Sequence, residues 1–409
     1  MSGATGEMSR EGAGARSRVA VVRCPDYDAP TVASAMDEAI GLLGGARAAL
    51  PVRVGGHVLV KPNVLAPFPP ERPIDTHPAL VAAAVALARA AGAGRVSVGD
   101  SSGGAALTGR TARALAVSGI AGAARSAGAD VVNFDAGGAR EVAGRGGRRL
   151  YLAPAALDAD AIINLPKLKT HGLTIITGAV KNLYGCVPGG RKTAYHREYP
   201  RSEDFAGLLV DIYGAVYLGR PALTVVDAVW ALDGLGPGAG GNPRRVGLIL
   251  AGTDGVAVDA VCALLAGLPP LRMPTCRLAA AAGLGVADPD RIDIVGLPLS
   301  EARPDRFVLP ITTSFIKYAP APVVRAAVTL LRARPVVEAS RCTGCGTCAA
   351  TCPSGAMRVE GGQAHIDLHR CLDCLCCQEN CPEAAVLLRR RFALPRRSPR
   401  RSPRRAGRN

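Results

Sequence analysis

Nine of the thirteen cysteines in the 409-residue chain lie between Cys342 and Cys381. Two runs hold eight of them: Cys342-x2-Cys345-x2-Cys348-x3-Cys352-Pro353 and Cys371-x2-Cys374-x2-Cys377-x3-Cys381-Pro382. Three thiolates at this spacing wrap one corner of an iron–sulfur cubane. The fourth ligand must come from elsewhere, and the proline keeps the ligand turn from running on as helix. The pattern predicts two [4Fe-4S] clusters with crossed ligation. One takes Cys342, Cys345, Cys348 and Cys381, the other Cys371, Cys374, Cys377 and Cys352. Zinc sites use four ligands, usually as paired C-x2-C, and an odd cysteine count gathered in one segment does not make a disulfide framework. Cys376 satisfies neither gap and reads as a packed thiol.

The spacing is that of bacterial two-cluster ferredoxins, whose clusters carry single electrons. Between the runs, Met357 to Asp367 alternates around Gly361-Gly362 and predicts a hairpin. A ferredoxin-like module over residues 336–390 follows, with electron transfer favoured over a structural role for its clusters.

Lysine usage is the second chemical signal. The chain has 43 arginines and six lysines: Lys61, Lys167, Lys169, Lys181, Lys192 and Lys317. An ammonium is compact, pairs with anions and shifts its pKa on burial, unlike the permanent guanidinium fork. Five of the six sit in short polar motifs. Lys61-Pro62-Asn63 ends one predicted strand and Asp100-Ser101-Ser102-Gly103 another; Asn164 to His171 follows a third. Asp227 closes a fourth, an apolar one, with Asp233 to Pro237 beyond it, and Thr253-Asp254-Gly255 follows a fifth. The carboxyl ends of strands in an open α/β sheet line one crevice. The stretch Gly178 to His196 adds Lys181, Asn182, Lys192 and His196 around a Gly/Pro loop suited to an anion. Neither GxxxxGK[ST] nor GxGxxG after a strand occurs, so no motif supports ATP or NAD. Plain roles compete: His77 and Asp100 stand where helix caps would, and Cys24, Cys186, Cys262 and Cys276 suit packed positions.

These motifs need a scaffold. Short β-branched runs at Arg18–Arg23, His57–Lys61, Arg95–Asp100, Ala161–Asn164, Leu223–Asp227, Val246–Leu250 and Arg291–Val295 alternate with helical patterns near Val32–Leu43, Pro78–Ala91 and Arg110–Ala127. They predict an α/β domain over 17–303, a mostly parallel sheet with helices on both faces, plus the small α+β two-cluster ferredoxin-like domain. Residues 1–16 read as a disordered leader, 304–335 as a linker with a short helix near Val323–Arg332, and 391–409 as a disordered tail. The net charge of +16 is concentrated: Arg389 to Asn409 hold ten arginines and no acid. That excludes a basic nucleic-acid-binding domain, and contact with nucleic acid or acidic surfaces is expected only through this tail. No apolar run spans a bilayer and no secretory signal opens the chain, so a cytoplasmic location is expected.

The motifs VLVKPN (58–63), THP (76–78), GDSSG (99–103), INLPKLKTH (163–171), VKNLYGCVPGGRKTAYH (180–196) and VDAV…LDGLGP (226–237), in this order, resemble the DUF362 family, often fused to a C-terminal 4Fe-4S ferredoxin domain. The resemblance implies an iron–sulfur protein with an α/β domain and leaves its substrate open. The preferred expectation is a redox enzyme. A small anionic or carbonyl substrate lies in the crevice, served by Lys61, Lys167, Lys169, Lys181, His196 and Asp227, and electrons pass through the ferredoxin domain. One alternative is a non-catalytic carrier whose α/β domain docks a partner oxidoreductase. Another is a divalent-metal site built from Asp100, Asp227 and Asp254.

Overall fold

The computed structural model describes residues 16–104, 109–310 and 333–390. The expected leader apart from Arg16, the linker helix, Lys317 and the Arg-rich tail lie outside the described residues. Sixteen strands are present among them. Twelve precede the cysteine module: β1 (Ser17–Arg23), β2 (His57–Pro62), β3 (Arg95–Asp100), β4 (Asp130–Asn133), β5 (Arg140–Ala143), β6 (Arg149–Leu152), β7 (Ala161–Leu165), β8 (Lys167–His171), β9 (Ile175–Thr177), β10 (Ala222–Gly234), β11 (Gly241–Gly252) and β12 (Ile292–Gly296). Four belong to it: β13 (Ala333–Val337), β14 (Met357–Glu360), β15 (Gln363–Ile366) and β16 (Val386–Arg390).

The main sheet runs β12-β1-β11-β10-β7-β2-β3-β4, with β8 paired to β10 and β9 to β8. It is mostly parallel; β11 opposes both of its neighbours, and β9 opposes β8. Each face is covered, as the double-sided apolar runs require. One face packs helices Ser202–Tyr217, Gly255–Leu265 and Pro274–Ala281; the other packs Ala29–Leu42, Pro78–Ala90 and Ile120–Ser126. No helix among the described residues is long and apolar enough to cross a membrane.

Three expectations are corrected. The helix expected over Arg110–Ala127 is two helices, Arg110–Val117 and Ile120–Ser126, because Gly119 adopts φ 76° between them. The strand expected to stop at Asp227 continues to Gly234, and its partner spans Gly241–Gly252. The two pair antiparallel along nearly their whole length, so Asp227 and Asp233 lie inside a long ribbon. In the cysteine module, β13 begins at Ala333, inside the stretch expected as linker, and pairs with β16. The β14–β15 hairpin turns at Gly361-Gly362 as expected.

Candidate functional site

Two hollows in the module are each lined by four cysteines. One hollow of about 340 Å³, counting its open mouth, is lined by Cys342, Cys345, Cys348 and Cys381. A second, of about 290 Å³, is lined by Cys352, Cys371, Cys374 and Cys377. Four thiols around one hollow suit a cubane, and backbone N–H groups already point at sulfur. Ala356, Ala364, Asp373 and Ala385 donate to Cys352, Cys342, Cys371 and Cys381 at 3.2–3.4 Å. Such bonds favour thiolate and help set a cluster's potential. The loops coil left-handedly at matching positions of the two runs, Gly344 with Asp373, Gly346 with Leu375 and Gly355 with Ala384. Cys376 is buried beside this set, and burial pushes Cys24 and Cys186 up to about 12, which leaves both thiols inert.

The sheet brings four of the five predicted polar motifs to one edge; the fifth, Thr253-Asp254-Gly255, follows the antiparallel β11 and lies at the opposite edge, where Asp254 accepts from Ser17 at the start of β1. Four of the five described lysines are committed to internal partners. Lys61 Nζ lies 2.8 Å from Asp100 and donates to the Pro62 carbonyl at 2.7 Å. This pair needs Gly185, since a Cβ there would fall 2.0 Å from the Asp100 carboxylate. Lys167 pairs with Asp227 at 2.8 Å, and Asp227 also accepts from the Tyr27 hydroxyl and the His77 amide. Lys169 donates to Asn63 and to the Ile74 carbonyl, Lys192 to Ser101. All four are buried. Lys181 is partly buried and has no hydrogen-bonded oxygen among the described residues; its Nζ sits 5.9 Å from the Tyr184 ring centroid. Burial pushes its pKa down, Glu379 opposing.

The helix Cys376–Asn380, which begins within the second cysteine run, is seated on this edge. Leu375 meets Gly172, Asn380 meets Gly103 and Gly104, and the Glu379 backbone meets Gly238 so closely that a Cβ there would lie 2.3 Å from its carbonyl oxygen. Gln378 Nε2 donates to the Leu235 carbonyl at 2.6 Å, and Arg110 donates to Asn380. The LDGLGP and GDSSG loops therefore form the seat of the module.

The seat brings Glu379 against the buried His171. His171 Nδ1 accepts from the Leu173 and Thr174 amides, which places its proton on Nε2, 2.9 Å from the Glu379 carboxylate. Burial pushes Glu379 up, but His171 and Lys181 prevail and hold it down at about 2. Burial lowers His171 and His196 to about 4, so both rings are neutral at pH 7. His196 stacks on Phe205 at 4.6 Å, and its Nδ1 is buried without a hydrogen-bond partner.

The site thus gathers Lys181 and His196 with His171 and Glu379, while Lys61, Lys167, Lys169 and Asp227 form its paired walls. The sequence offered no signal for Glu379, which fills a gap between Cys377 and Cys381; its partners lie some 200 residues away along the chain. The expected metal triad is corrected. Asp100 and Asp227 are taken by separate lysines, Asp254 caps the helix Gly255–Leu265, and no three His, Cys, Asp or Glu side chains gather closely enough to hold a single metal ion among the described residues. Nor does Asp100 cap a helix; it accepts from the Val64 and Ser101 amides. His77 does cap one, at Ala79.

Residues 58–264 match the family model described as "Domain of unknown function (DUF362)", and residues 334–382 one described as "4Fe-4S dicluster domain". The chain is 34% identical over 287 residues to the thylakoid-associated protein sll1697 of Synechocystis sp., which covers 70% of this chain and 84% of that protein. Among solved structures it is similar to the lactate racemase apoprotein from Thermoanaerobacterium thermosaccharolyticum (12% identity, TM-score 0.41) and to a protein from Thermotoga maritima (11%, TM-score 0.35). Each likeness covers 64% of this chain and 60% of the other.

Proposed function

Because the chain belongs to the DUF362 family and joins that domain to a 4Fe-4S ferredoxin-type module, we propose that it is a cytoplasmic redox enzyme acting on a small anionic or carbonyl substrate in the α/β crevice. Cys342, Cys345, Cys348 and Cys381 hold one [4Fe-4S] cluster, and Cys371, Cys374, Cys377 and Cys352 a second. When bound, the clusters supply electrons one at a time. The observation that carries this reading is the seat. The helix Cys376–Asn380, which carries Cys377, is buried against this edge of the sheet and brings Cys376 and Glu379 to Lys181, and Glu379 to His171. At the first hollow Cys345 is exposed, an entry for electrons from a partner protein.

In this reading Lys181 is the residue free to act. Among the described residues its ammonium is uncommitted to any acceptor, and burial eases loss of its proton, as protonating a reduced substrate requires. His196, neutral and unpartnered at Nδ1, orients the substrate by a hydrogen bond. Lys61, Lys167, Lys169 and Asp227 fix the walls and the charge around them. Lys181→Met is expected to abolish substrate-driven reoxidation of the reduced protein while iron content and the EPR signal of the dithionite-reduced clusters are unchanged. Undiminished reoxidation in that variant would move the weight to a carrier.

A further inference from the structure

We infer that Lys181, His171 and His196 form a subsite for a carboxylate group, and that Glu379 fills it as an internal stand-in which a substrate carboxylate displaces. The inference rests on the reading above that the crevice takes a small anion, and it narrows that anion to a carboxylic acid.

The contrast with the structural carboxylates carries the argument. Asp227 accepts from Lys167, Tyr27 and the His77 amide. Asp254 accepts from Ser17 and three backbone amides, of Val256, Ala257 and Val286. These are saturated, as burial demands of a structural charge. Glu379 is only 6% exposed, yet its Oε1 completes no well-aligned hydrogen bond, even with His171 Nε2 at 2.9 Å. The groups around it are under-used as well. Lys181 has no hydrogen-bonded partner among the described residues, and His196 Nδ1 is buried unpaired. This cluster therefore holds more donor capacity than Glu379 consumes. A free carboxylate that takes Glu379's place is not tied to a helix backbone and can meet the donors squarely.

Glu379 sits on the helix Cys376–Asn380, so its withdrawal moves the element that carries Cys377. Binding is thereby coupled to the fit of the second cysteine set against the sheet.

Calorimetric titration of the full-length, cluster-loaded protein tests this, with acetate and malonate as probes and inorganic phosphate as the control anion. An internal competitor lowers apparent affinity by the fraction of molecules it leaves open. Glu379→Gln is expected to tighten acetate binding about tenfold, and Lys181→Met in that background to remove it. Phosphate is expected to bind no better in the variant than in the parent. Equal acetate affinity in parent and Glu379→Gln, or a gain for phosphate equal to that for acetate, would overturn the subsite. If Glu379→Gln loses iron, His196→Gln in the parent serves instead, being remote from the cysteines in sequence; unchanged malonate affinity there overturns the inference. Carboxylate binding without any substrate-driven change in the cluster EPR signal would refute the redox reading and leave the subsite standing. Reoxidation by a substrate that acetate never inhibits would do the reverse.

Discussion

Lys167 and Asp227 meet at 2.8 Å with side chains no more than 1% exposed, and Tyr27 ties the pair to the loop after β1. Breaking such a pair leaves a charge without water or partner. Lys167→Met is expected to cost about 3–5 kcal/mol in chemical denaturation, and Lys167→Met with Asp227→Leu far less. A single-variant cost no greater than that of the double variant would refute this. The imidazoles give a pH signature. His77, His171 and His196 are each lowered by burial to about 4, against an ordinary 6.5. Unfolded chains take up these protons between about pH 6.5 and 4 while the folded chain refuses them. Their contribution is complete above about 6.5 and is lost as pH falls toward 4. The melting temperature should drop across that window, and His196→Phe, which keeps the stack on Phe205, should make the slope shallower. At this scale the sequence was informative where a residue type was out of place, a lysine in an arginine-rich chain or an acid closing an apolar strand. Glu379 was in no such position, and its role comes from a tertiary contact.

At the scale of elements, the two cysteine runs share one backbone path although only the first uses glycine throughout. Gly344, Gly346 and Gly355 take left-handed φ of 62–77°, and Asp373, Leu375 and Ala384 take 50–64° at the matching positions. The cysteine spacing was legible; this path was not, because its second copy is written in residues that do not announce it. The glycines also differ among themselves. A Cβ on Gly344 would fall 2.3 Å from the Gly362 carbonyl oxygen, whereas one on Gly346 meets nothing within 4 Å. Gly344→Ala should therefore lose about half of the bound iron, while Gly346→Ala should retain it at a cost of about 1–2 kcal/mol in stability. Iron analysis after anaerobic purification separates them, and equal iron in both would sink the argument. The same lesson holds for the helix broken at Gly119. Apolar periodicity ran through the break, and only the left-handed glycine marks it.

Across the whole molecule, the loops read from sequence as a substrate edge serve also as a seat for the cysteine module. The ends of β2, β3, β7 and β10 converge there because those strands run parallel, whereas the motif after the antiparallel β11 lies at the opposite edge. The convergence was legible from βα alternation. That a second domain would occupy the edge was not, since it depends on surface fit across some 140 residues of intervening chain. Gly238→Ala tests the fit, because its Cβ would collide with the Glu379 backbone. The variant should keep its iron and fold, lose Lys181-dependent turnover, and exchange the amides of 235–240 faster with deuterium. Protection equal to the parent would show that the seat tolerates the methyl group.

The burial of the lysines has a consequence for labelling chemistry. Lys61, Lys167, Lys169 and Lys192 are at most 7% exposed, and each is hydrogen-bonded, so acylating reagents that seek side-chain amines meet arginine nearly everywhere on the described surface. Lys181 is the described lysine that such a reagent can reach, and its lowered basicity quickens the attack. A limiting amount of an activated ester should therefore mark the crevice in preference to the described surface, and a bound anion should protect it.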